Sequence, residues 1–249
     1  MNWQWFHRLS SPKSFYQISG RWLPWFWAIS LSLFVVGLYQ GLYNSVIDYQ
    51  QSSTVRIMYL HVPTAILSLM LYVVMAVAAA VGYIWRIKLA HMAAVSVAPV
   101  GAAITFLALI TGSLWGRPMW GTWWVWDARL TSELILLFLY LGFISLHQAF
   151  EDREVGDRAA GVLAMVGIIN VPIVHFSVEW WNTLHQGATI SKLEKPSMDD
   201  SMLVALSLMF FAILLFSSAI TMYRMRNEIL SREYSRKWVR EELLKEGAL

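Results

Sequence analysis

The chain has 249 residues, of which 57% are hydrophobic and only 14% charged, whereas about a quarter of a soluble globular chain is charged. Its net charge of +3 is too small to favour nucleic acid as a partner. The chain contains no Cys, which excludes disulfides, thiolate catalysis, iron–sulfur clusters and Cys-based zinc sites. Any metal would therefore be held by His, Met or carboxylate side chains.

The apolar residues form six long blocks, and each is long enough to cross a bilayer as a helix, which takes roughly 17–25 residues. The blocks are Trp22–Tyr43, Val62–Trp85, Met92–Leu114, Arg129–Ala149, Ala159–Val178 and Met202–Tyr223. No small-residue cleavage site closes the first block, so we do not interpret it as a signal peptide. The sequence predicts an all-α, polytopic membrane protein, in which residues 1–249 form a single six-helix transmembrane bundle surrounded by membrane lipid.

The distribution of basic residues predicts the orientation of the bundle. Most Lys and Arg residues lie before the first block, after the sixth, or in the second and fourth connections, on the side of both termini. The opposite side carries Arg56, Arg117, Arg129, Lys192 and Lys195. By the positive-inside rule, both termini are cytoplasmic. The outward segments are then Asn44–His61, Trp115–Ala128 and Glu179–Ser201.

Three further features of the sequence carry structural predictions. We expect the inward connections, such as Glu151–Arg158, to be simple turns. The tail, residues 224–249, is rich in Arg and Glu at helical spacing and predicts a solvated or membrane-surface helix. The third block carries small residues that let helix backbones approach closely in lipid. They are Ala94, Ala98 and Ala102, with Gly101 beside them.

The second outward segment is rich in Trp. It reads Trp115-Gly-Arg-Pro-Met-Trp120-Gly-Thr-Trp-Trp-Val-Trp126-Asp127, so five of its thirteen residues are Trp. Trp favours the membrane–water interface, which explains the scattered rings Trp22, Trp25, Trp27 and Trp85. In the outward segment, two Gly and one Pro predict an irregular chain path from which the indoles project in several directions. Such rings form an apolar platform that a flat apolar ligand would cover.

Charged residues at the start of the fourth block have local explanations. Asp127 directly precedes the block, where its carboxylate can cap the free amides of the helix. Arg129 and Glu133 are four residues apart and can pair on the helix surface. Alternatively, Arg129 faces an anionic group of a ligand near the membrane surface.

The six His divide evenly between the two sides of the bundle. Ordinary interfacial roles are expected for the inward residues His7, His91 and His147. His61 lies two residues before Pro63, at the rigid start of the second block, because Pro is favoured in the first turn of a helix. His185 follows a Trp pair in the third outward segment. His175 lies inside the fifth block, beyond a proline, where it can bridge backbone groups that the proline leaves free.

Two outward His on separate segments flank the Trp-rich segment, and this combination suits haem. Each neutral imidazole supplies one axial bond, while the indole rings hold the edges and face of the macrocycle. The haem carboxylates favour Arg nearby, and the outward arginines are Arg56, Arg117 and Arg129. At this point, an ordinary role for each His stays open as the alternative.

The stretch from Trp120 to Asp127 resembles the WGxxWxWD signature of the haem-handling protein family. Six spans in 249 residues are similar to the cytochrome c maturation protein C (CcmC) branch of that family. The resemblance covers the whole chain and implies that His61 and His185 are the axial ligands of the haem iron. It maps the tryptophan motif onto Trp115, Gly116, Pro118, Trp120, Gly121, Trp124, Trp126 and Asp127. The assignment of Arg56 and Arg129 to the site is less direct, because it rests only on their positive charge and on their position on the outward side of the bundle.

The resemblance also implies a function and a set of partners. Proteins of this kind hold haem b between two His at the periplasmic face of the bacterial inner membrane. They deliver it to a membrane-anchored haem chaperone (CcmE) during c-type cytochrome biogenesis. They work beside an ABC-type transporter pair (CcmA and CcmB) and a small single-span subunit (CcmD). On this reading, the chain is a haem-handling subunit and not an enzyme.

Three other functions stay open at this stage. The first is a permease subunit of an ABC-type haem exporter, which the scarcity of ionisable residues in the blocks disfavours, since such residues mark transport paths. The second is a haem–apocytochrome ligase subunit, for which six spans leave little room to bind a Cys-x-x-Cys-His segment. The third is a structural subunit whose Trp-rich segment binds only protein.

Overall fold

The computed structural model describes residues 11–185, 187 and 197–245. Its helices are α1 (Pro12–Tyr39), α2 (Met58–Trp85), α3 (Lys88–Trp120), α4 (Ala128–Gln148), α5 (Arg153–Gly167), α6 (Asn170–Trp180), α7 (Asp200–Arg232) and α8 (Lys237–Lys245). A π-helical turn, Gln40–Asn44, extends α1, and a 3-10 turn, Ser53–Ile57, leads into α2. Within these described ranges there is no β-strand, only an isolated bridge between Asp48 and Ser52.

Among the described residues, six helical segments are long and apolar enough to cross a membrane. They are Pro12–Asn44, Ser53–Trp85, Lys88–Trp120, Ala128–Gln148, Arg153–Trp180 and Asp200–Arg232. Each coincides with one of the six predicted blocks, so the all-α, six-span prediction is confirmed. His7, Lys192 and Lys195 lie outside the described residues.

The fifth span consists of two helices, α5 and α6, with a short break between them. Pro172 lies in the first turn of α6, where the amide hydrogen that proline lacks would have no helical partner. In a continuous helix the amide of residue 172 would donate a hydrogen bond to the carbonyl of Ile168, and proline cannot supply it. The proline thus places a helix start inside the span, which the apolar block by itself does not reveal.

The core of the bundle lies between α2, α3, α4 and α7, and α1 packs mainly on α7. Tyr72, Met75, Tyr140 and Phe143 are among its fully buried side chains. The small residues of α3 face this core, as predicted: Ala94, Ala98 and Ala102 are all buried. Gly101 lies directly against the ring of Tyr140, so a Cβ added there would overlap the ring.

The start of the tail packs on the bundle, so the expectation of a solvated or membrane-surface helix is wrong for these residues. α7 continues to Arg232, and Ile229 and, beyond it, Val239 are fully buried. Arg226 donates a hydrogen bond to the carbonyl oxygen of Tyr16, and the Trp238 ring lies 5.9 Å from the Tyr16 ring. Apolar side chains four residues apart on one helix face account for this packing. The charged residues between them dominate the composition of the tail, and the expectation was based on that composition.

Candidate functional site

The described parts of the three predicted outward segments lie at one end of the bundle, where α2 and α4 begin and α3 and α6 end; we call it the tryptophan end. Hydrogen bonds join the described parts of the segments to each other, and two of them involve predicted site residues. Nε1 of Trp115 donates to Oε1 of Gln51 at 3.0 Å. The backbone amide of Leu184 donates to Oδ2 of Asp127 at 3.4 Å. The predicted site residues therefore come from three separate parts of the chain that meet here.

The first half of the Trp-rich segment is helical, so the prediction of an irregular path is wrong for residues 115–120. α3 continues through Gly116 and Pro118 and ends at Trp120. Gly116 allows this, because a Cβ there would lie 2.8 Å from Cε3 of Trp120. Pro118 falls in the last turn, where only one backbone bond is lost. Gly121, with φ +77°, then ends the helix, and its amide donates to the carbonyl of Arg117 at 3.1 Å.

The remaining indoles lie on the irregular stretch 121–127. Trp124 and Trp126 contact each other edge to face at 5.5 Å between ring centroids. Trp126 is 75% exposed and Trp123 is 54% exposed, while the hydroxyl of Ser113 donates to the carbonyl of Trp123 at 2.7 Å and anchors the stretch to α3. The tryptophan end thus presents large apolar rings held by a fixed backbone.

A second aromatic group lies at the end of α6. The rings of Phe176 and Trp180 stack at 5.3 Å, and Trp180 contacts Trp181 at 5.7 Å. His175 is exposed and contacts the Phe176 ring at 4.7 Å. Its side chain bridges no backbone group among the described residues, so the predicted role beside the proline is not observed.

His61 is held in one tautomer by its contacts with α3. Nδ1 lies 3.0 Å from the carbonyl oxygen of Ala108 and 3.2 Å from Oγ1 of Thr111. Because a carbonyl oxygen only accepts hydrogen bonds, Nδ1 carries the proton, so that in the neutral imidazole Nε2 keeps its lone pair. A backbone carbonyl bonded to the far nitrogen is the usual support of a metal-ligating His. The ring of Trp115 lies edge-on at 5.7 Å.

His185 lies on the other side of the Trp-rich segment, with its ring centroid 4.8 Å from that of Trp120. Burial lowers the pKa of His185 to about 4, the positive charge of Arg129 acts in the same direction, and Asp127 opposes both. The imidazole is therefore neutral at neutral pH. The ring of His61 contacts Trp115 and the ring of His185 contacts Trp120, so folding places both predicted ligands against rings of the Trp-rich segment.

Asp127 connects the start of α4 to the segment that carries His185. Its Oδ1 accepts the amide of Leu130 at 2.8 Å, which confirms the predicted helix cap. Its Oδ2 accepts the amide of Leu184 and lies 3.9 Å from Nδ1 of His185, beyond hydrogen-bond distance. The cap was predictable from sequence, whereas the bond to Leu184 was not.

Three other charged residues near the site, Arg129, Glu133 and Arg56, behave differently from one another. Arg129 and Glu133 do not form the predicted ion pair on α4: Nη1 of Arg129 donates to the carbonyl of Val174 at 2.7 Å, and Oε1 of Glu133 accepts from Ser68 at 2.7 Å. The two side chains point at different neighbouring helices. Arg56, on the 3-10 turn before α2, has no ion pair or hydrogen bond to the described part of the chain.

Replacing Asp127 is expected to destabilise the tryptophan end. Asp127→Ala removes a helix cap, which costs about 1 kcal/mol, and the bond to Leu184, which contributes roughly another 1 kcal/mol. Asp152→Ala is the matched control, because Asp152 caps α5 through the amide of Glu154. Thermal unfolding in detergent should show the larger loss for Asp127→Ala. Equal losses would mean that the Leu184 contact contributes nothing.

Several buried polar atoms at the tryptophan end lack a hydrogen-bond partner among the described residues. They are Nε1 of Trp124, Oγ1 of Thr183 and Nδ1 of His185. Each unsatisfied buried group costs about 1–3 kcal/mol, so a ligand with acceptor groups, such as carboxylates, would stabilise this end. The described residues contain no cluster of three or more His, Cys, Asp or Glu for a bare metal ion. Two neutral imidazoles from separate segments instead match axial ligation of a planar macrocycle.

The chain matches known proteins over almost its whole length. A family model described as heme exporter protein C matches residues 5–240. Heme exporter protein C of Haemophilus influenzae is 52% identical over 238 residues, covering 96% of this chain and 97% of that protein. The protein of the same name from Escherichia coli K12 is 51% identical over 245 residues, covering 98% of this chain and 99% of that protein.

A more distant relative agrees with these matches. Heme exporter protein C of Paracoccus denitrificans is 39% identical over 233 residues, covering 93% of this chain and 96% of that protein. The family match and the six apolar helices together identify a multi-pass membrane protein. The chain belongs to the heme exporter protein C family.

Proposed function

We propose that this chain binds haem at the periplasmic face of the bacterial inner membrane and delivers it to a membrane-anchored haem chaperone, CcmE. The observation that carries the proposal is the position of His61 against Trp115 and of His185 against Trp120 at the tryptophan end, beside exposed indole rings. Membership of the heme exporter protein C family supports haem as the cargo. The positive-inside rule supports an orientation with the tryptophan end in the periplasm and both termini in the cytoplasm.

In this proposal, the haem iron is held by His61 and His185 from opposite faces. Nε2 of His61 has its lone pair free because Nδ1 carries the proton and donates it in a hydrogen bond to the carbonyl oxygen of Ala108. His185 is neutral because burial lowers its pKa. The platform, formed by Trp115, Trp120, Trp124 and Trp126, covers the macrocycle. Imidazole ligands exchange more readily than a thiolate, which suits a protein that passes its haem on. No side chain acts as a nucleophile or general base, so the chain is a handling subunit.

The haem carboxylates require cations or hydrogen-bond donors near the ring edge. Arg56 has no ion pair or hydrogen bond to the described residues and can turn to a carboxylate. Nη1 of Arg129 donates a hydrogen bond to the carbonyl of Val174 in the middle of α6, so we assign Arg129 mainly to positioning that helix. Nε1 of Trp124 is a buried donor without a partner among the described residues and can serve a carboxylate as well.

The same proposal includes the partners of an exporter complex: the ABC-type pair CcmA and CcmB and the small subunit CcmD. A route for haem through this chain's own spans is the second candidate. The spans offer little support for it, because the buried carboxylate of Glu133 is engaged in a hydrogen bond with a neighbouring helix. Charged groups that line a transport path face a cavity or water.

A transfer assay tests the proposal. The chain is purified in mild detergent, loaded with haem and mixed with the soluble part of the chaperone, and the absorption spectrum of each protein is recorded after separation. We expect haem to bind to this chain in a six-coordinate state and to appear on the chaperone. A chain that binds the chaperone but shows no haem absorption would support the structural-subunit alternative and overturn the proposal.

Trp126→Ala is expected to weaken the complex with the chaperone, because Trp126 is the most exposed ring of the platform and an exposed haem edge needs a partner to shield it. Losing a large aromatic ring from the centre of an interface typically costs about 2 kcal/mol or more. Trp25→Ala is the control, since Trp25 is 62% exposed but lies on α1. Co-purification of the chaperone measures the effect. Equal yields with both variants would contradict the platform interpretation.

A further inference from the structure

A cavity of about 720 Å³ opens at the end of the bundle opposite the tryptophan end. It lies where α2 and α7 end and where α3 and α5 begin. Its basic lining residues are Arg86, Lys88, Arg153, Arg158 and Arg232, and its acidic ones are Glu154, Asp157 and Glu233. The connections at this end were expected to be simple turns. That expectation is incomplete, because together they enclose a charged cavity.

Two of the acidic lining residues are already paired. Asp157 is buried and accepts two hydrogen bonds from Arg232, at 2.5 and 2.9 Å. Its Oδ1 also lies 3.1 Å from Nε2 of His147. Glu233 pairs with Arg236 at 3.3 Å. These contacts hold the ends of α4, α5 and α7 together and form one wall of the cavity.

Three of the basic lining residues are unpaired. Arg86, Lys88 and Arg158 have no hydrogen bond or ion pair to any residue that the structure describes, and all three are exposed. Against them stands one carboxylate of the lining, Glu154, that is likewise without a side-chain partner in the described ranges. The cavity therefore carries an excess of positive charge that an anionic ligand would neutralise.

An apolar groove continues from this cavity along the surface of the bundle. The groove has a volume of about 360 Å³ and shares Tyr83 and Arg158 with the cavity. Its other lining residues, Val155, Ala159 and Val162, lie on α5, which is part of the fifth candidate span. Val155 and Val162 are exposed, so the groove lies on the outer surface of the bundle.

We propose that the cavity and the groove together bind one anionic phospholipid. Its phosphate lies beside Arg86, Lys88 and Arg158, and one acyl chain follows the groove over Val155 and Val162. Basic pockets between membrane helices are suited to anionic lipid headgroups. A free phosphate compound would use the cavity but not the groove. The continuity of the two at Arg158 is what favours a lipid.

Native mass spectrometry of the full chain in mild non-ionic detergent tests the proposal. The chain is titrated with phosphatidylglycerol and, separately, with phosphatidylcholine. We expect one phosphatidylglycerol to bind at least tenfold more tightly than phosphatidylcholine. Arg86→Gln/Arg158→Gln should lose this preference, since each cation near an anionic lipid contributes roughly fivefold in affinity. Lys88→Gln alone should weaken binding by roughly fivefold.

The matched control is Arg224→Gln/Arg240→Gln, which makes the same change in net charge at exposed residues of α7 and α8 outside the cavity. This variant should bind phosphatidylglycerol as the original chain does. Equal weakening in both double variants, or no preference for phosphatidylglycerol at all, would overturn the proposal. Displacement of the lipid by equimolar glycerol phosphate would also overturn it, because it would identify a free phosphate compound as the ligand. Unchanged unfolding temperatures confirm that the variants are folded.

Discussion

Replacing both His61 and His185 with Ala is expected to abolish haem retention by the purified chain. Each imidazole supplies one axial bond in our proposal, and no Cys exists in the chain to substitute for it. Removing even a supporting group around a metal typically costs about 10–100-fold in affinity. Each single variant should therefore lose at least that much, and the double variant should show no haem absorption band. Titration with haem, followed by absorption, measures both.

His175→Ala is the control for the two ligand variants. His175 lies at the same end of the bundle but is exposed, and its ring contacts Phe176. Its replacement should leave haem affinity and the spectrum unchanged. Normal haem retention in the His61→Ala/His185→Ala variant would contradict the ligand assignment. Loss of haem in His175→Ala alone would instead place the iron beside α6.

Gly101→Ala is expected to destabilise the bundle strongly, although it adds only one methyl group. The added Cβ would overlap the ring of Tyr140, which is fully buried between α3, α4 and α2. Moving that ring would also break the hydrogen bond from its hydroxyl to the carbonyl of Ser68, 2.8 Å long. Overpacking of a core costs about 1–3 kcal/mol, and the lost bond adds roughly 1 kcal/mol. Thermal unfolding in detergent measures the change.

Gly142→Ala is the matched control for this prediction. Gly142 lies on α4, and a Cβ there would approach only Cδ2 of Leu163, at 3.2 Å. That atom is the end of a flexible side chain and can move by a few tenths of an ångström. The control should therefore change stability little. Equal unfolding temperatures for Gly101→Ala and Gly142→Ala would show that Tyr140 has room to move, contrary to the packing observed.

The local features of the candidate site could be predicted from the sequence. The cap formed by Asp127 follows from a carboxylate immediately before a helix, and the structure contains it. That His61 and His185 lie at the same end of the bundle follows from counting the spans between them. These inferences succeed because each depends on a few neighbouring residues or on whether the number of spans between two residues is even or odd.

Features that depend on packing were predicted less well. Gly116 and Pro118 indicate a broken helix, yet α3 continues to Trp120 because the ring of Trp120 packs over the missing Cβ of Gly116. Similarly, Arg129 and Glu133 have the spacing of an ion pair, but each finds a closer partner on another helix. In the first case, a contact within the helix supports residues that usually interrupt one. In the second, tertiary contacts outweigh a local pairing preference of only a few tenths of a kcal/mol.

The sequence by itself determined the number of spans and the types of residue at the tryptophan end, because hydropathy and motif are properties of neighbouring residues. Only the tertiary structure decided how these residues are used. The proton on Nδ1 of His61 is set by the carbonyl of Ala108, 47 residues away, and Asp127 reaches Leu184 across 57 residues. The basic cavity likewise forms from four helix ends. Such contacts depend on how helices pack, and no short stretch of sequence contains that information.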